Sequence, residues 1–327
     1  MTCVSNSDRG HTPAQTWVGL AVIIAAEIAI WLGCRPVATW FTPIQWTGYI
    51  LLADGLVHRL TGSSWLTRQR REFPFLALSS VLLWLGFEAY NLHLRNWAYL
   101  GVPAEPWLRD LAYFWSFATI VPGVFETGDL IAALARRRRV TVFTQSPPSH
   151  PALLSLWVAV GAVCVSLPLL LPSAVAAYLF GLVWVGFVPL LDPLNARRGL
   201  ASLSRAWRDG NHLPAWALLG SGMVCGLLWE TWNYQAFLAG GGHWIYTIPE
   251  ALRPLGLHFG RMPVLGLLGF PPFALELYAL YSRLRQMVGG DRLLGRTAAS
   301  PSRPAGPEPS GRPHSPGNSK KHNRVLP

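Results

Sequence analysis

The sequence predicts an all-α fold, a polytopic membrane helix bundle of about eight transmembrane helices arranged as two parallel four-helix repeats. Three observations predict it. The 327 residues are 51% hydrophobic and only 13% charged, where an ordinary soluble domain carries about 25% charged residues. The apolar residues gather into eight runs of about 20 residues, the length that crosses a bilayer. Basic residues fall in alternate loops between those runs, and blocks of residues recur in the same order in both halves.

Taken in order, residues 1–16 form a short polar N-terminus. The runs then cover 17–33, 44–60, 74–94, 111–134, 151–171, 174–194, 213–236 and 263–284. The first is interrupted by Glu27 and lacks a small-x-small cleavage site, so it reads as a retained helix rather than a signal peptide. The sixth and eighth hold Pro189, Pro193, Pro271 and Pro272. Membrane helices tolerate such prolines and often kink at them. The first repeat is expected over 17–140 and the second over 151–285. Residues 289–327 are rich in Pro, Ser, Gly and Arg and read as a disordered cytoplasmic tail.

Loop charge sets the orientation. Eight spans put the N-terminus, three Arg-rich loops and the tail on one side. That side holds 22 basic residues, among them Arg68, Arg70, Arg71 and Arg136 to Arg139; the other holds only Arg35, Arg95, Arg109, Arg253 and Arg261. Both termini are therefore expected in the cytoplasm, and the protein in the cell (inner) membrane. The formal net charge of +11 then reflects topology and lipid headgroups, not nucleic acid.

The repeat shows as five matched blocks. Trp46, Gly48 and Asp54 match Trp184, Gly186 and Asp192; Gly62, Leu66, Arg68 and Arg71 match Gly199, Leu203, Arg205 and Arg208. Glu88 and Asn91 match Glu230 and Asn233; Trp97 and Tyr99 match Trp244 and Tyr246; Pro122 and Glu126 match Pro272 and Glu276. The offset changes only between blocks, as loop insertions and deletions would make it change. Four spans per unit make the copies parallel, related by an axis along the membrane normal.

The matched acids carry the chemistry. Glu88 and Asn91 are three apart and share a helix face, as do Glu230 and Asn233. Carboxylates inside apolar helices are costly and usually functional. The candidate catalytic residues are Glu126, Glu276, Glu88 and Glu230, the deeper Glu126 and Glu276 being preferred. Asp54, Asp192, Asn91, Asn233, Trp97, Tyr99, Trp244 and Tyr246 are the candidate substrate-binding residues. The same residues in a purely structural role would be interhelical hydrogen-bond partners and interfacial rings. The four cysteines and the scattered histidines have no metal-ligand spacing, so no metal and no cofactor is expected.

The order Leu228-Trp229-Glu230, then Trp244-x-Tyr246 and Pro249, then Pro263-Val-Leu-Gly and Glu276, resembles the tandem-repeat integral-membrane lycopene cyclases and the related carotenoid hydratases. That resemblance implies that Glu230 stands at the family's first acid, Trp244 at its tryptophan and Glu276 at its later acid. Glu88, Trp97 and Glu126 would be their equivalents in the first unit. The chain departs from the family in having Pro272-Phe-Ala-Leu-Glu276 in place of a proline, one residue and an acidic pair, and four spans per unit where the family has three. The resemblance implies acid-initiated chemistry on a polyene.

Three readings stay open on the residues themselves. The first is an acid–base enzyme (cyclase, hydratase or isomerase) acting on a lipophilic, isoprenoid-like substrate. The second is a proton-coupled transporter, and the third a structural membrane protein whose acids are interhelical bonds. Membrane lipid and a lipophilic small molecule are the expected partners; the oligomeric state is not encoded in any feature of the sequence.

Overall fold

The computed structural model describes residues 12–138 and 151–289, so most of the predicted N-terminal segment and the tail beyond Gly289 lie outside the described residues. The first half runs α1 (Ala14–Trp31), α2 (Arg35–Thr39), α3 (Phe41–Thr61), α4 (Glu72–Leu94), β1 (Trp97–Leu100), α5 (Pro106–Ala118) and α6 (Ile120–Arg137). The second runs α7 (Pro151–Leu170), α8 (Ser173–Ala176), α9 (Phe180–Arg197), α10 (Leu203–Arg208), α11 (Leu213–Leu238) and β2 (His243–Tyr246). Two short 3₁₀ turns, β3 (His258–Phe259), β4 (Met262–Pro263) and α12 (Val264–Met287) complete it.

Six segments are long and apolar enough to cross a membrane: Ala14–Trp31, Glu72–Leu94, Pro106–Arg137, Leu153–Leu170, Leu213–Leu238 and Val264–Met287. The chain is thus a mostly helical, membrane-embedded protein. Helices α3 and α9 have comparable lengths and are more polar, each carrying an aspartate and a basic last turn. On α1 and α7 large apolar side chains such as Trp17, Ile28, Leu156 and Val163 are exposed. A helix apolar all round and exposed along one side is a lipid-facing helix.

The run predicted over 111–134 is two helices, α5 and α6, broken at Thr119. The break has a physical cause. Ser80 of α4 donates its hydroxyl to the Phe117 carbonyl and accepts the Val121 amide (2.9 Å). It thereby satisfies backbone groups that the interrupted helix frees.

The core is built by α3, α4, α6, α9, α11 and α12. Helix α6 packs on α3, α4 and α11, and α12 packs on α9, α11 and α4. The outer helices α1 and α7 pack on α3 and α9 respectively. Both of these crossings are made at glycines. A β-carbon on Gly48 would lie 2.9 Å from an Ile23 side-chain carbon and 3.0 Å from the Gly19 carbonyl; one on Gly186 would lie 2.7 Å from Cys164 Cβ, beside Val165. Small residues let backbones approach where lipid offers no hydrophobic force between helices.

At the end of the bundle away from the Arg-rich loops, β1 pairs antiparallel with β2. The register is Trp97↔Tyr246, Ala98↔Ile245, Tyr99↔Trp244 and Leu100↔His243. This two-stranded ribbon joins the two halves of the chain directly.

Gly48→Leu should separate α1 from α3 and lower stability by about 1–3 kcal/mol, the usual cost of overpacking. Gly86→Leu, on an open face of α4 with nothing within 4 Å, should change little. Thermal unfolding of both variants in detergent checks the pair; equal melting temperatures would show that the glycine crossing is not a close contact.

Candidate functional site

The ribbon is fixed to the helices by the two matched asparagines. Asn91 donates to the Trp97 carbonyl (2.9 Å), and its Oδ1 accepts the amides of Asn96 (2.8 Å) and Trp97 (3.2 Å). Asn233 donates to the Trp244 carbonyl (3.1 Å) and accepts the Trp244 amide (2.8 Å). Each amide side chain therefore pairs with its tryptophan backbone as a strand neighbour would. The turn after α4 is tight enough to place Arg95 at φ 55°, a left-handed conformation unusual for a residue with a side chain.

Beneath the ribbon sit the first two glutamates. Three donors converge on Oε1 of Glu88: the indole N–H of Trp84 (2.8 Å), the indole N–H of Trp97 (3.0 Å) and the hydroxyl of Tyr99 (2.5 Å). Glu230 is fully buried. It accepts the Tyr246 hydroxyl (3.0 Å), the Asn233 amide (3.3 Å), and the backbone N–H groups of Arg261 (2.5 Å) and Met262 (3.1 Å). Trp244 donates its indole N–H to the Tyr246 oxygen (2.8 Å). The loop that presents those two amides needs Gly260: its φ is +58°, and a β-carbon there would lie 2.7 Å from Glu230 Oε1.

Trp97, Tyr99, Trp244 and Tyr246 also line a cavity of about 130 Å³ between the ribbon and the helices. Its other walls are rings: Trp46, Trp84, Trp184, Trp229, Phe270 and Phe273. The rings support one another at centroid distances of 4.6 Å (Trp46–Trp229), 5.2 Å (Trp184–Phe273) and 5.8 Å (Trp84–Trp97). Half-buried Thr39, Tyr113 and Ser116 border it on the side of α2 and α5. Burial, ahead of the neighbouring carboxylate, pushes the Tyr99 and Tyr246 phenols well above their ordinary range, so both hydroxyls keep their protons. Such a chamber can hold an apolar chain end, meet it with phenolic hydroxyls backed by carboxyl groups, and face a positive charge with aromatic rings.

The other candidate residues stand elsewhere. Asp54 binds the following loop, accepting the Ser64 hydroxyl (2.9 Å), the Leu66 amide (2.9 Å) and the Gln15 amide group (3.0 Å). Asp192 does the same, accepting the amides of Leu203 (2.6 Å) and Ser204 (2.8 Å). Glu276 is buried in α12 and accepts the Phe187 amide (2.8 Å). Glu126 is buried in α6 and faces Asp54. None of these four lines the aromatic cavity. The unmatched Glu27 bridges two amide side chains, Gln45 (2.7 Å) of α3 and Gln235 (2.8 Å) of α11. Among the described residues no group of His, Cys, Asp and Glu could hold a metal ion.

Sequence reasoning did not place Trp46, Trp184, Trp229, Phe270 and Phe273 in a site. The pair Trp46 and Trp184 was visible only as a marker of the repeat. The signal that could have found them is the clustering of rings at matched positions in both halves.

Glu88→Leu leaves two half-buried indole N–H groups and one phenol without their acceptor, at about 1 kcal/mol for each donor. Glu88→Gln keeps an acceptor oxygen and should cost clearly less. Unfolding of the purified variants in detergent checks the order; two equally stable variants would mean the three donors find other partners.

Compared with family models, curated proteins and solved structures, the chain matches none.

Proposed function

We propose that this protein is a membrane-embedded acid–base enzyme that takes one end of a lipophilic, isoprenoid-like chain into the aromatic cavity and protonates it there. The observation that carries the reading is the pairing of an apolar ring-lined chamber with two phenols, Tyr99 and Tyr246, each hydrogen-bonded to a glutamate, half-buried Glu88 and buried Glu230. The reading agrees with the resemblance to lycopene cyclases and carotenoid hydratases at Glu88, Trp97, Glu230 and Trp244. It moves the chemistry from the deeper Glu126 and Glu276 to the residues under the ribbon.

The first half supplies the acid. With Glu88 protonated, its O–H passes a proton to the Tyr99 oxygen as Tyr99 gives its own proton to a substrate double bond. One C–H bond forms and the Glu88 O–H bond breaks, so the negative charge rests on Glu88. The indole N–H groups of Trp84 and Trp97 already point at the oxygen where that charge develops, a pre-organised arrangement of the oxyanion-hole kind. The carbocation is left among the faces of Trp46, Trp84 and Trp229. Loss of a proton back to Glu88 through Tyr99 closes the cycle without a cofactor. A dry apolar cavity of about 150 Å³ accommodates a benzene-sized molecule. A chamber of about 130 Å³ therefore takes a terminal segment, the rest of the chain lying outside.

The proposal includes the architecture of eight spans in two parallel repeats, with cytoplasmic termini. Three features support the duplication. In the ribbon Trp97 meets Tyr246 and Tyr99 meets Trp244, so matched residues exchange places about an axis through Ala98 and Ile245. Both outer helices cross at matched glycines, Gly48 and Gly186. Both aspartates hold the amide of a matched leucine, Leu66 or Leu203. A transporter would need a polar path from one side to the other, whereas the aromatic cavity and a second cavity nearer the Arg-rich end share no lining residue.

Reconstituted protein incubated with acyclic polyenes in D2O should yield products carrying deuterium at the protonated carbon. Tyr99→Phe should lower turnover by about 10²- to 10⁴-fold, the usual contribution of general acid–base catalysis, while substrate quenching of tryptophan fluorescence persists. Glu276→Gln should remain active. Binding without deuterium incorporation by any acyclic polyene, or full turnover by Tyr99→Phe, would sink the assignment.

A further inference from the structure

Glu126 sits in mid-α6, fully buried, and the chemistry assigned to the aromatic cavity does not use it. Among the described residues no N–H or hydroxyl donor reaches either of its carboxyl oxygens. The group it faces is a second carboxyl, that of Asp54 on α3. A buried carboxylate with neither donors nor a counter-ion is among the costliest arrangements in a protein. Two ionised carboxylates have only acceptors to offer one another; one proton between them turns repulsion into a hydrogen bond.

The surroundings offer no other remedy. The Tyr49 hydroxyl of α3 pairs with the Thr127 hydroxyl (2.8 Å), and the thiol of Cys225 on α11 approaches that Thr127 hydroxyl (3.4 Å). Asp129, one turn along α6, is held by the Trp65 indole (2.9 Å) and has Arg136 as its charged neighbour. The second half differs at the matched glutamate: Glu276 takes the Phe187 amide, while Asp192, like Asp54, binds the loop after its helix.

A cavity also borders α6 near Glu126. A second cavity, about 290 Å³, lies toward the Arg-rich end and is lined by Phe125, Gly128 and Asp129, the residues on either side of Glu126. Its rim carries Arg136 and Arg285. A cavity with polar partners and that volume has room for several waters.

We propose that Glu126 and Asp54 form a proton-exchange site, one proton held between the two carboxyl groups and loaded from the Arg-rich side through the Asp129-lined cavity. The site does not depend on the enzyme reading, because it shares no residue with the aromatic chamber. Proton relays built from intramembrane carboxyl groups have this character.

Infrared spectra of the full chain in lipid nanodiscs at neutral pH test it directly. The unaltered protein should show a protonated-carboxyl C=O band that shifts in D2O. Glu126→Gln should remove one component of that band, apart from any that Glu88 contributes, and Glu276→Gln should leave that component. Asp129→Asn should keep the band and slow its deuterium shift several-fold. A spectrum unchanged by Glu126→Gln would overturn the site, and an exchange rate unchanged by Asp129→Asn would overturn the route. If Glu126→Gln fails to fold, the unaltered protein can be treated with a hydrophobic carbodiimide, which couples to protonated carboxyl groups. Peptide mapping should then find label at Glu126 that declines as pH rises; no label there at any pH would equally overturn the site. Neither readout involves turnover, so failure of the polyene assay leaves this test intact.

Discussion

The ribbon formed by β1 and β2 is the constraint on which the rest of the structure depends. Four residues from each half make it, and its register brings Trp97 against Tyr246 and Tyr99 against Trp244. Backbone outside regular structure is tolerated at membrane depth only where every polar group is satisfied by protein. Here Asn91 and Asn233 supply the missing partners, and Glu88 and Glu230 receive the phenols that the ribbon turns inward. Removing any one of these groups leaves several others unpaired. The ribbon, the clamps and the glutamates therefore stand or fall together, and the aromatic chamber is the space they enclose.

The acids within the helices meet the cost of their position in different ways. Glu88 is met by side-chain donors, Glu230 largely by a backbone loop, Asp54 and Asp192 by the loops that follow their own helices, and Glu27 by two amides. Each of these has hydrogen-bond donors from the protein facing it. Glu126 has none. In a protein where neighbouring acids are so fully provided for, that exception is informative. It is also specific to one half, since its match Glu276 has a backbone donor.

Much of the fold is legible in the sequence because membrane spans are written in length and hydropathy, and the apolar runs do become helices. The break at Thr119 is not legible, because the apolar run crosses it without interruption and its cause, Ser80, lies on another helix. The candidate site is legible in part. Matched spacing picks out Glu88, Asn91, Trp97 and Tyr99 together, and they do converge. Depth along a helix is a poorer guide. Asp54 and Asp192 fall deep in their apolar runs when residues are counted, yet each turns to bind backbone amides at the start of the next segment. Periodicity gives the face of a helix but not which backbone amide will reach that face.

The two halves also differ where the chamber is shaped, and the differences offset one another. Trp84 in the first half corresponds to Gly226 in the second, while Gly123 corresponds to Phe273. Trp84 meets Phe273 at 5.9 Å, and the ring of Phe270 fills the space beside Gly226. Trp46 in turn covers the face of Gly123. Large side chains at all of these positions would crowd a centre that interiors already fill to near crystal density. Exchanging large for small in opposite senses keeps the total volume and moves the remaining space off the axis, toward α5. That displacement places Glu88, with its indole donors, rather than loop-bound Glu230, beside the half-buried border.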